Sequence, residues 1–137
     1  MKNRRNLQQI KFMGMVLAVV FCLVLPLAGH AAADGPGPEV TATPISMDFY
    51  GFIASARPGD IVTVQDADGV VCGAFAVKTD GRYGFVHVYG DDPTTVADEG
   101  ATRGDKLTFL LNGKPLPGDV IWSGDGRREQ ADFPDQR

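Results

Sequence analysis

The chain has 137 residues, with 13 Lys plus Arg against 17 Asp plus Glu and a formal net charge of −4 with histidine neutral. That length supplies one small domain with one core. An acidic balance keeps such a protein soluble and argues against nucleic acid and anionic membrane surfaces as partners.

The first segment is basic, then apolar, then small. Lys2, Arg4, Arg5 and Lys11 precede an apolar run from Phe12 to Ala28, interrupted by Gly14 and Pro26, and Ala31 and Ala33 follow. This order predicts a secretory signal peptide over residues 1–33, cut after Ala33. The alternative is an uncleaved anchor, but the run is short of the roughly 20 residues of a spanning helix, and Pro26 and the alanines favour cleavage. Lipidation at Cys22 is unfavourable because Phe21 stands where a small residue belongs. Cleavage leaves 104 residues, with nine basic side chains against 17 acidic and a net charge of −8. The expectation is an exported chain, extracellular or periplasmic, with no stable membrane span. Cys72 is then the only cysteine, so no internal disulfide forms, and a small buried apolar role is its ordinary use.

Residues 34–44 (DGPGPEVTATP) read as a flexible lead-in, with Val40 to Thr43 available for weak edge pairing. Ile45 to Ala54 is aromatic and β-branched and predicts the first strand, with Gly51 marking a bulge or a close backbone approach. The stretch from Asp60 to Asp92 then predicts three strands in a meander, joined by tight turns at Asp68-Gly69 and Asp80-Gly81. With two-residue turns, Val62, Val64, Val71, Gly73, Phe75, Val77, Val86 and Val88 share one face. Thr63, Gln65, Cys72, Ala74 and Ala76 fall on the other, beside an aromatic row of Tyr83, Phe85, His87 and Tyr89. Asp91 to Gly104 is an acidic loop without apolar periodicity. Asp105 to Asn112 alternates as a strand, Asn112-Gly113 predicts a hairpin with Lys114 to Pro117 as its return, and Asp119 to Trp122 predicts a last strand. Residues 124–137 read as a polar, frayed tail. The fold class expected is all-β: an antiparallel β-sandwich of six to seven short strands over residues 45–123.

Three stretches, PGDIVTVQDADG, AFAVKTDGRYGF and GDKLTFLLNG, together spanning roughly Phe49 to Lys114, resemble bacterial extracellular β-sandwich modules of the carboxypeptidase-regulatory-like or transthyretin-like group, within the immunoglobulin-like architecture. The resemblance implies an adhesion, spacer or binding unit. Such units are usually attached to larger secreted proteins, whereas this chain is expected to stand alone, and its first turn is shorter than the usual glycine-bearing loop.

Catalytic chemistry finds few carriers. With His30 lost, His87 is the one histidine, and its neighbours suit a hydrogen-bonded place in a sheet. G-x-S-x-G, H-E-x-x-H and phosphate-loop patterns are absent from the sequence, and one Cys with one His is a weak basis for a thiol nucleophile. No enzyme activity is expected. Calcium is the one cofactor considered. Asp66-Ala67-Asp68-Gly69 fails the EF-hand template because Gly comes early and Val77 stands at the closing position. Asp91, Asp92, Asp98 and Glu99 share one loop and supply the hard oxygen ligands calcium takes. A solvated acidic loop is the alternative. Tyr83, Phe85, His87, Tyr89 and Trp122 form a candidate ligand surface, whose rings would stack on sugar faces, against core packing as the alternative. The expected function is a non-catalytic structural or adhesive module meeting a protein or glycan at the cell surface; a carbohydrate-binding module, with or without calcium, is the second reading.

Overall fold

The computed structural model describes residues 37–134. The expected signal peptide lies outside the described residues, as do the start of the lead-in and the last three positions. Eight strands follow in order: β1 (Ser46–Phe52), β2 (Ile61–Gln65), β3 (Val71–Ala76), β4 (Arg82–Tyr89), β5 (Lys106–Leu111), β6 (Lys114–Pro115), β7 (Val120–Ile121) and β8 (Arg128–Gln130). No helix occurs among the described residues, so none there is long and apolar enough to cross a membrane.

The strands form two sheets. One runs β4-β1-β8; the other runs β3-β2-β5-β6, with β7 also on β5. The alternation that drew β1, β2, β4 and β5 in the sequence now has a physical destination. Met47 and Phe49 of β1 and Val86 and Val88 of β4 meet Val62 and Val64 of β2 and Leu107 and Phe109 of β5, all at most 1% exposed, in one core between the sheets. Phe49 and Phe109 meet edge to face, with centroids 5.6 Å apart, a geometry aromatic quadrupoles favour.

Several expectations need correction. The Asp60–Asp92 stretch is not a single meander: β3 pairs β2, whereas β4 pairs β1 in the opposite sheet. Asp80-Gly81 does make a tight turn, with the Arg82 amide donating to the Thr79 carbonyl, but the turn lies at a corner where the chain changes sheets. The turn at Asp68-Gly69 is also longer than two residues. The buried Asp66 carboxylate accepts the amides of Asp68 and Val70 and closes a loop over residues 66–70. The β2–β3 register then slips between Val64 and Gln65, which takes Cys72 off the face expected to carry Thr63, Gln65, Ala74 and Ala76 and sets it in the core, in the buried apolar role expected of it. Val71 and Phe75, expected inside, are half-buried. The described part of the lead-in, residues 37–44, forms no strand; Thr43 instead donates its hydroxyl to the Gly90 carbonyl. The hairpin at Asn112-Gly113 matches expectation: Leu111 pairs Lys114, and both turn residues have positive φ, as its type demands.

The largest departure is at the C-terminal end. Residues read as a frayed tail form β8, which pairs β1 in parallel from Asp48↔Arg128 to Tyr50↔Gln130, so the fold is not wholly antiparallel. Beyond β8, Ala131 and Phe133 are buried. Phe133 stacks within 4.9 Å of Phe109 and 6.2 Å of Tyr83. Gly51 permits this docking, because a Cβ there would lie 2.2 Å from the Ala131 carbonyl oxygen.

Candidate functional site

The outer face of the three-stranded sheet carries the most distinctive surface chemistry. In β1, Met47 and Phe49 point inward, so Asp48, Tyr50 and Phe52 point outward. In β4, Val86 and Val88 point inward, so Phe85 and His87 point outward. Arg128 and Gln130 of β8 share that outer face. Pairing registers and contacts set these side chains in three cross-strand rows: His87, Asp48 and Arg128 by register; then Tyr50 and Gln130 by register, with Phe85 against the Tyr50 ring; then Arg82 and Phe52 by register, with Asp132 bonded to the Phe52 amide. Tyr50 is 36% exposed, Phe52 47% and Phe85 46%, so three aromatic rings meet solvent on one face.

The contacts within this face are specific. The rings of Tyr50 and Phe85 lie 5.2 Å apart. The Arg128 guanidinium sits 4.8 Å over Phe85, and that of Arg82 sits 5.0 Å over Phe52, both within cation–π range. Asp48 bridges its row, 2.5 Å from His87 Nδ1 and 3.6 Å from Arg128 Nε. Asp132 accepts the Phe52 amide and the Gln130 side-chain amide.

The sequence-based candidates separate in three dimensions. Phe85 and His87 share the outer face, and Tyr89 is half-buried beside His87, with ring centroids 6.4 Å apart. Tyr83 instead turns into the core at 4% exposure. The cause is a bulge: Phe49 pairs Val86 while Gly51 pairs Tyr83, so three steps on β4 match two on β1. The extra residue reverses the alternation between Tyr83 and Phe85. Gly84 sits at that bulge with φ of 113°, and a Cβ there would lie 2.7 Å from Tyr50 Cα. Trp122 is buried at 3%, its ring against Gly90 and Gly124. Tyr50, Phe52, Arg82 and Arg128 were not singled out in the sequence. Alternation along β1 carried a signal for the first two; the polar run around Arg128 carried none.

The acidic loop binds itself. Asp92 accepts both the amide and the hydroxyl of Thr94, which holds its carboxyl below the usual carboxylate range. Thr95 donates to Glu99 at 2.6 Å, and the Glu99 amide points to Asp91 Oδ1 at 3.5 Å. Asp98 is exposed. Asp91, Asp92, Asp98 and Glu99 do not converge, and among the described residues no three His, Cys, Asp or Glu side chains are placed to hold a metal ion. Cys72 and His87 also serve apart. The thiol is wholly buried, and burial followed by the nearby Asp66 charge pushes its pKa up to about 12, whereas His87 lies on the open face.

No family model, curated protein or solved structure matches the chain.

Proposed function

We propose that the chain is an exported, non-catalytic module of the immunoglobulin-like or transthyretin-like β-sandwich class, with an adhesive role at the cell surface or in the extracellular space. One observation carries this reading: Tyr50, Phe52 and Phe85 stand exposed on one sheet face with Arg82 and Arg128 stacked on two of them. Aromatic and arginine side chains are the types that dominate binding hot spots, and a small acidic domain gains nothing in folding from holding three rings in water. The apolar, uncharged form of Cys72 and the open setting of His87 favour a non-catalytic role.

The glycan-binding reading gains from the same face, because its exposed rings provide stacking surfaces and Arg82 and Arg128 beside them provide hydrogen-bond donors. The test is retention of the full chain on isolated cell-envelope material. A Tyr50→Ala/Phe85→Ala pair should release it while leaving its thermal melting unchanged. Undiminished retention with the fold intact would end the adhesive reading.

A further inference from the structure

We propose that the outer face of β4-β1-β8 takes an oligosaccharide bearing carboxylates, a uronic-acid chain, with Arg82 and Arg128 reading the carboxylates and Tyr50, Phe52 and Phe85 carrying the rings. This rests on the adhesive reading above and names the chemistry of its partner.

The size of the face gives the first argument. Its three rows of three positions span about 13 Å along the strands and roughly 10 Å across them, from the rise and spacing of a sheet. A stable protein–protein interface buries about 800 Å² on each partner, so a protein would have to reach well beyond this patch. A narrow, extended ligand fits it.

The unused hydrogen-bonding groups give the second. The two acids are committed internally: Asp48 to His87 and Arg128, and Asp132 to the Phe52 amide and Gln130. Arg82 is not, since it enters no ion pair among the described residues. Arg128 shares Asp48 through Nε at 3.6 Å, and its two terminal amino groups enter no hydrogen bond among the described residues. Each guanidinium carbon lies within 5.0 Å of a ring centroid, and the planar fork of N–H donors is a shape that matches carboxylates in bidentate fashion. What the face offers is therefore paired donors over apolar ring surfaces. Carboxylates satisfy the first and the C–H faces of sugar rings satisfy the second. A neutral glycan leaves the donors unmatched, and an acidic peptide leaves the flat rings without a matching face. The protein's own negative charge opposes a polyanion at long range, but it is screened beyond about 8 Å at physiological ionic strength, so contact geometry governs affinity.

Affinity electrophoresis of the full chain tests this, in gels holding polygalacturonate, its methyl ester, or polyglutamate. Polygalacturonate should retard the chain, the methyl ester much less, and polyglutamate little. Arg82→Gln should weaken the retardation by about tenfold or more, the loss expected of a charged hydrogen bond, and NMR shifts should map to β1, β4 and β8. Equal retardation by acid and ester would overturn the carboxylate assignment while leaving adhesion standing. Retardation by polyglutamate equal to that by polygalacturonate would replace the sugar with an acidic peptide. Binding that Arg82→Gln does not change, or that maps off this face, would overturn the proposal outright.

Discussion

The Tyr83 hydroxyl donates a hydrogen bond of 2.8 Å to the Ala131 carbonyl, joining positions 48 apart in the chain. This bond links the inward turn of β4 to the strap that carries β8. Removing the hydroxyl in Tyr83→Phe leaves a buried carbonyl without its partner. The expected loss is about 1–2 kcal/mol, read by urea denaturation with an unchanged m-value.

The strap is a structural part of the core. Phe133→Ala should cost about 3–5 kcal/mol, as for other buried aromatic truncations, and deletion of residues 127–137 should leave a chain with broad, weakly cooperative melting. Phe85→Ala, on the open face, should stay within about 0.5 kcal/mol. Calorimetry of the three variants checks the contrast. A strap deletion that melts like the parent would show that the core closes without it.

Gly84 holds the bulge that separates Tyr83 from Phe85. Gly84→Ala places a methyl group against Tyr50 at a φ disfavoured for any side chain. The expected cost is at least about 2 kcal/mol from backbone strain and contact together. Gly69→Ala is the control, since its φ is also positive but nothing lies within 4 Å of its Cβ; it should cost about 1 kcal/mol. Paired denaturation curves decide it.

Trp122 is buried, and its indole N–H has no hydrogen-bond partner among the described residues. Its value is therefore packing, and Trp122→Phe should cost far less than the about 3–5 kcal/mol expected for Trp122→Ala. A phenylalanine variant as unstable as the alanine one would show that the N–H matters.

Alkaline pH should weaken the fold through two groups. Burial first, then the Asp66 charge, raises Cys72 from 9.0 to about 12, and burial followed by the Asp132 charge raises Tyr83 further above its ordinary 10.0. Both groups are protonated in folded and unfolded chains below about pH 9, so neither affects stability there. Above that, the unfolded chain loses protons that the folded one keeps. Stability then falls by about 1.4 kcal/mol per pH unit for each group until its folded value is reached. Cys72→Ala should flatten the decline between pH 9 and 10, where the thiol of the unfolded chain titrates ahead of the Tyr83 hydroxyl. The native thiol should also resist alkylation at pH 8 until denaturant is added.

Much of the architecture was legible because apolar alternation and turn residues are local properties. The strands at Ser46–Phe52, Ile61–Gln65 and Lys106–Leu111 and the Asn112-Gly113 hairpin follow from neighbours along the chain. The candidate face was only partly legible. Phe85 and His87 fell where alternation put them, but Tyr83 did not, because one extra residue at a bulge reverses every inward and outward assignment beyond it. Trp122 reads the same in sequence whether buried or exposed.

By itself the sequence determined an all-β fold for the described residues and an acidic balance of charge, since hydrophobic period, turn chemistry and charge are written residue by residue. Only tertiary structure decided that β3 and β4 part into opposite sheets, that Arg128 comes to lie over Phe85 and that Phe133 fills the core. Those outcomes depend on contacts between residues far apart in the chain and on single-residue register slips, and neither leaves a periodic mark in the sequence.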